Sequence, residues 1–339
     1  MKKEDSMRLD PIFADNAVFA ANREISIFGN GAGKAMLKFN GYEKEIRSDG
    51  DRWCIKLPKM PYGGPYALEF SSEEETKVVE GIYIGEVILF AGQSNINFSL
   101  KASNTPREYY ADDFPALHYI MVTGDTSLDR WVTATEETAE PFSALGYIAG
   151  KECAKRAGVA IGIICCTLGA SVIESWMPEG ALDAIGIHLR DEEKFRDHKT
   201  YGQWNSDGFL YNQRLSHVFP YTLSGVVWYQ GESDASPAEG ALYCYELSEL
   251  IRIWRRDFQD PALPFVVVQL ADTAERIALG EGWRLVQEAQ MEISRCVPEV
   301  YTVISRDISE TDDIHPPSKY ALALRITDAI TKHFFDFSR

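Results

Sequence analysis

The chain has 339 residues, 45% of them hydrophobic, enough to bury a large core and to divide into two domains. Its formal net charge of −17 argues against nucleic acid as a partner, because such binding draws on Lys and Arg contacts to phosphate. No apolar run approaches the roughly 20 residues of a membrane-spanning helix. The amino terminus, "MKKEDSMRLDPIF", is charged and lacks the apolar core of a signal peptide. A cytoplasmic location is expected, and secretion or a periplasmic location if a leader has been removed.

Up to about residue 80 the pattern is one of short strands. Ile25 and Ile27 alternate with polar neighbours, as do Ala35, Leu37 and Phe39, then Trp53, Ile55 and Leu57, then Tyr66, Leu68 and Phe70. The turn signals "GNGAG", "SDGD" and "PYGGP" lie between them, and this spacing predicts a small β-sandwich over residues 1–80. "SSEEETK" reads as a charged hairpin tip or linker.

From residue 81 to 339 the pattern changes. Apolar runs fall at Val87–Ala91, Leu117–Val122, Val159–Cys166, Val226–Tyr229, Phe265–Leu270 and Val300–Ile304. Several are continuous, as in strands covered on both faces. Helical periodicity lies between them at Ala144–Ala157, Leu242–Phe258 and Trp283–Cys296, with Tyr320–Phe335 closing the chain. This alternation predicts an α/β fold built on a doubly wound parallel sheet. The six cysteines form no CxxC pair and are expected to be buried, reduced thiols, so no metal site is expected.

Four strand ends carry the chemistry. "FAGQSN" delivers Ser94 at the carboxyl end of a strand, where open α/β sheets keep their ligands. A plainer reading makes Ser94 or Asn95 a helix N-cap. A serine nucleophile needs a base, and the base an orienting group. Of the six histidines, His118, His188, His198, His217 and His333 suit structural or surface roles. His315 stands apart in "DDIHPPSK", stiffened by two prolines and flanked by Asp312 and Asp313. "VVWYQGESDA" ends a strand at Gln230, whose amide can donate to an oxyanion or brace a turn, and "CCTLGAS" ends one at Gly169, a possible backbone donor.

Together these blocks resemble the SGNH hydrolases, and within them the sialate O-acetylesterase-like and acetylxylan-esterase-like carbohydrate esterases. "YIGEVILFAGQSN", "LGASVIESWM", "LYNQRLSHVFPYTLSGVVWYQGESDA" and "DDIHPPSK" carry the resemblance. "NAVFAANREISIFGNGAGKAMLKF" and "GGPYALEF" are similar to the β domain that precedes the catalytic domain in sialate O-acetylesterases. The resemblance implies a flavodoxin-like sheet and removal of acetyl groups from carbohydrate hydroxyls, with no metal or organic cofactor. It implies Ser94 as nucleophile, His315 as base and Asp312 as the orienting acid, with the Ser94 N–H, the Gly169 N–H and the Gln230 side chain as oxyanion donors. Ala170 stands where a second glycine is common, and Arg214 where an apolar residue is common.

Trp176, Arg214 and Glu232 are candidate substrate contacts, and Trp131, Trp204 and Trp228 are further candidates for the apolar face of a sugar. A carboxylated sugar would need a cation, for which Arg214 or Arg306 is available. The rival readings are a lipase- or thioesterase-like acyl esterase and a carbohydrate-binding protein with a dead site.

Overall fold

The computed structural model describes residues 6–189, 202–274, 280–310 and 312–335. Seven strands precede the turn into the long one: β1 (Arg8–Leu9), β2 (Val18–Ala20), β3 (Ile25–Asn30), β4 (Gly33–Phe39), β5 (Tyr42–Ser48), β6 (Arg52–Leu57) and β7 (Gly63–Ser72). Strand β8 runs from Thr76 to Gly92. Its first half pairs antiparallel with β7, across a hairpin whose tip is the charged "SSEEETK" stretch. Its second half enters the parallel sheet, so one strand passes through residue 80 without a break.

Strands β1, β3 and β6 form a separate three-stranded sheet, while β4, β5 and β7 join the sheet of β8. The two sheets meet where Trp53 of β6 stacks on Phe70 of β7, ring centroids 5.6 Å apart. The amino-terminal strands also share one continuous apolar core with the rest of the chain. Phe13 stacks on Tyr221 at 5.6 Å, and the Tyr221 hydroxyl donates to the Val18 carbonyl at 2.7 Å.

The remaining strands are β9 (Phe114–Met121), β10 (Val132–Ala134), β11 (Ile161–Thr167), β12 (Gly225–Tyr229), β13 (Phe265–Val268) and β14 (Val300–Val303). Their order is β10-β9-β11-β8-β12-β13-β14, parallel throughout except for β10 at the edge. Without β9 and β10, the order β11-β8-β12-β13-β14 is the flavodoxin-like arrangement. The chain leaves β8 toward β11 on one side and reaches β12 on the other. A crevice therefore opens at the carboxyl ends of β8 and β12, where such sheets hold their ligands.

Helices cover the sheet, and two of them have a capping serine. Ser143 caps the Ala144–Ala157 helix by accepting from the Gly146 N–H, and Gly158 closes it in a left-handed conformation. The helix expected from Leu242 begins instead at Pro237, because Ser236 caps it and the proline suits its first position. The last two helices span Glu281–Cys296 and Lys319–His333. Among the described residues no helix is long and apolar enough to cross a membrane.

The cysteines depart from expectation in part. Cys153, Cys165 and Cys166 are buried, but Cys54 and Cys296 are exposed; all six are free. His198 lies outside the described residues. His118 is enclosed within β9, and the His333 ring stacks on Tyr301 at 3.5 Å.

Candidate active site

Gly92 ends β8 with φ 137°, a conformation that side chains disfavour, and a Cβ there would fall 2.1 Å from the Tyr229 carbonyl oxygen. The glycine thus lets β8 and β12 approach at the crevice. Gln93 then ties the two strand ends together. Its N–H donates to the Tyr229 carbonyl at 3.1 Å, and its Oε1 accepts from the N–H groups of Gly231 and Ser233 at 3.3 and 3.4 Å. Ser94 opens a four-residue helix, Ser94–Asn97, whose capping position is Gln93 and has no side-chain cap. The hydroxyl of Ser94 is therefore not used as a cap.

It faces histidine instead. His315 Nε2 lies 2.7 Å from Ser94 Oγ, and both residues are half-buried. The loop that carries His315 is shaped by Asp313, whose Oδ1 accepts from the His315 backbone N–H at 2.7 Å in an Asx turn. The neighbouring Asp312 is exposed. Gly169 sits beside the nucleophile: a Cβ there would lie 3.6 Å from Ser94 Cβ. Ala170 has φ 54°, a left-handed backbone that glycine adopts with less strain.

A serine in reach of an imidazole, at the carboxyl edge of a parallel sheet, can support proton abstraction and nucleophilic attack. The family described as carbohydrate esterase, sialic acid-specific acetylesterase, matches residues 85–332. The chain belongs to that family. It is 24% identical over 318 residues to the sialate O-acetylesterases of Homo sapiens and Pongo abelii, covering 83% of this chain. It spans 60% of the length of these curated relatives. The crystal structure of a carbohydrate acetylesterase from Xanthomonas citri superposes with a TM-score of 0.84 at 27% identity, covering 97% of this chain and 75% of that one. An Arabidopsis thaliana protein shares the fold, with a TM-score of 0.52 and 18% identity, covering 74% of this chain and 100% of that one.

Three of the expected contacts are placed elsewhere by the fold. Gln230 is fully buried, and its Nε2 donates to the Ser171 carbonyl at 2.8 Å and to the Asp234 carboxylate. Tyr243 donates to Gln230 Oε1 at 2.7 Å. With both amide hydrogens engaged, Gln230 is a brace between strand ends and has no donor left for an oxyanion. Asp234, in turn, is held above the usual carboxylate range, first by burial and then by the nearby Glu174, Glu239 and Glu246.

Trp176 is fully buried, edge-on to Trp228 at 5.9 Å, and donates to Ser171 Oγ at 3.0 Å. It packs the core and offers no face to a sugar. Trp131 and Trp228 are likewise buried, and Trp204 is half-buried. Glu232 is also enclosed, behind the nucleophile, where its Oε1 accepts from Asn95 Nδ2 at 2.7 Å. Burial pushes its carboxyl up to about 7, against the opposing effects of Asn95 and Lys319. Arg214 donates from Nη1 to the Thr167 carbonyl at 2.5 Å, at the end of β11. Arg306 is exposed and lies 3.2 Å from Asp272.

Sequence reasoning offered Asn95 only as a helix cap and passed over Lys319, although both stand inside quoted motifs. Lys319 Nζ donates to Asn95 Oδ1 at 2.7 Å, and burial draws its ammonium down to about 8. The available signal was a lysine at the first position of a helix, where the backbone dipole disfavours a cation.

Proposed function

We propose that this chain is a serine esterase that removes O-acetyl groups from carbohydrates. The observation that carries the reading is the 2.7 Å approach of His315 Nε2 to Ser94 Oγ at the mouth of the β8–β12 crevice. Ser94 attacks the acetyl carbonyl while His315 takes its proton, and the sugar hydroxyl leaves with a proton returned by His315. Water activated by the same imidazole then releases acetate from the acetyl-enzyme. The N–H groups of Ser94 and Gly169 are the proposed oxyanion donors, supported by the adjacency of Gly169 to Ser94. Asp312 is the proposed orienting carboxylate for His315, supported by the Asp-x-x-His spacing.

Residues 1–80 are proposed as an amino-terminal β-sandwich domain and residues 81–339 as the catalytic domain, a reading supported by the Trp53–Phe70 stack between two sheets. Arg214 or Arg306 is the proposed cation for a carboxylated sugar. The test is a panel of acetylated sugars, with acyl-nitrophenyl esters of increasing chain length and Ser94→Ala as control. Acetyl esters should be cleaved much faster than octanoyl esters. A rate that rises with chain length would move the protein to lipase-like chemistry.

A further inference from the structure

The Asn95 side chain reaches from the residue after Ser94 to the residue before His315. Its Nδ2 donates to the Ile314 carbonyl at 2.9 Å and to Glu232 Oε1 at 2.7 Å, while its Oδ1 accepts from Lys319 Nζ at 2.7 Å. Charge fixes the orientation of this amide. Turned over, its hydrogens would face an ammonium group, and its oxygen would face a carboxylate and a carbonyl. Asn95, Glu232 and Lys319 are 2%, 6% and 2% exposed, so water can replace none of these bonds cheaply.

The placement of Lys319 is otherwise unfavourable. It carries a cation into the interior at the positive end of the Lys319–His333 helix. Its compensation is the Asn95 oxygen, the opposing charge of Glu232 and the Phe98 ring, whose centroid lies 4.8 Å from Nζ. Glu310 and Asp313 add attraction from the loop side. An apolar residue would escape the desolvation that this arrangement incurs, so the network needs a reason beyond packing.

We propose that Asn95, oriented by Lys319 and Glu232, is a positioning residue that sets the distance and angle between Ser94 and His315. The inference rests on the esterase reading above. It ties the backbone at position 314 to the strand end that presents position 94, two segments that meet only through the fold. A second tie, from the Asn104 N–H to the Pro317 carbonyl at 3.0 Å, anchors the other end of the loop. Asn95 touches neither reacting atom; it acts through the two residues that do.

Asn95→Asp tests this with almost no change of shape, since it exchanges the Nδ2 donor for an oxygen facing the Ile314 carbonyl and Glu232. Per folded protein, kcat on an acetyl ester should fall about 10²-fold, the scale of a small misplacement of reacting groups. KM should move by no more than about twofold, because the loss is confined to the reacting geometry. Lys319→Met should lower kcat in the same way but less, and it carries the test if the Asn95 variant does not fold. Wild-type kcat per folded protein in either folded variant, or a rise in KM alone, overturns the positioning role. If wild type cleaves no acetyl ester, or Ser94→Ala still does, the esterase reading falls and this inference with it.

Discussion

His315 Nε2 stands 2.7 Å from Ser94 Oγ across 221 positions of sequence. That contact depends on three separate pieces of local structure: a glycine that lets β8 and β12 close together, a glutamine that clamps their ends, and an Asx turn that shapes the histidine loop. Each piece has a different failure mode, so substitutions can separate them.

The two aspartates of the loop should behave differently. Asp313 accepts the His315 backbone N–H through Oδ1, a bond that asparagine can also make. Asp313→Asn should therefore keep most activity, whereas Asp313→Ala should loosen the loop and reduce it. Asp312→Asn should reduce activity strongly if its carboxylate orients the imidazole and stabilises imidazolium. Steady-state kinetics at equal folded fraction decide the matter; an unaffected Asp312→Asn enzyme would remove Asp312 from the proposed triad.

Gln230→Ala should be a stability variant first. It strips partners from the Ser171 carbonyl, Asp234 and the Tyr243 hydroxyl, and a buried group left unpaired costs about 1–3 kcal/mol. Urea denaturation should show a lower midpoint, with a smaller change in kcat per folded molecule. Unchanged stability together with a kcat loss of about 10²–10³ would restore the oxyanion role.

Glu232 and Lys319 give stability a pH dependence of opposite sign. Burial raises Glu232 from 4.5 to about 7, so the folded chain holds that proton more tightly than the unfolded chain does. Its contribution is fully present below 4.5 and is lost as pH rises through about 7. Lys319 is depressed from 10.5 to about 8, so its contribution is present above 10.5 and is lost as pH falls through about 8. Glu232→Gln should therefore gain in melting temperature relative to wild type between the two Glu232 values. A constant difference across that window would show that the Glu232 carboxyl is not perturbed.

Two glycines of the site should respond in contrasting ways. At Gly92 a Cβ would sit 2.1 Å from the Tyr229 carbonyl oxygen, on a backbone with φ 137°, so Gly92→Ala should yield little folded protein. At Gly169 the nearest atom to a new Cβ is Ser94 Cβ at 3.6 Å, an ordinary contact, and alanine keeps the N–H. Gly169→Ala should fold normally and retain measurable activity. Circular dichroism and soluble yield compare the pair, and equal loss of fold in both would contradict this account of the crevice.

The parallel strands were legible because strands covered on both faces need continuous apolar runs, and β11 and β12 are such runs. Ser94 and His315 were legible because their flanking residues constrain the backbone. Strand β5 was not, because Ile46 is the only buried residue among its seven. The start of the Pro237–Asp257 helix was missed because its apolar periodicity sets in later than its cap. Gln230 and Glu232 were misplaced for a common reason. Which way a side chain turns at a strand end depends on partners far off in sequence, as Ser171 is for Gln230 and Asn95 for Glu232.

The most direct measurement is peptide mass spectrometry of the protein after treatment with a phosphonylating agent that traps activated serines. The account predicts one adduct, on Ser94, formed in step with loss of acetyl-ester hydrolysis and absent from His315→Ala. Hydrolysis lost with the adduct on another residue, or hydrolysis that persists once Ser94 is labelled, would contradict it.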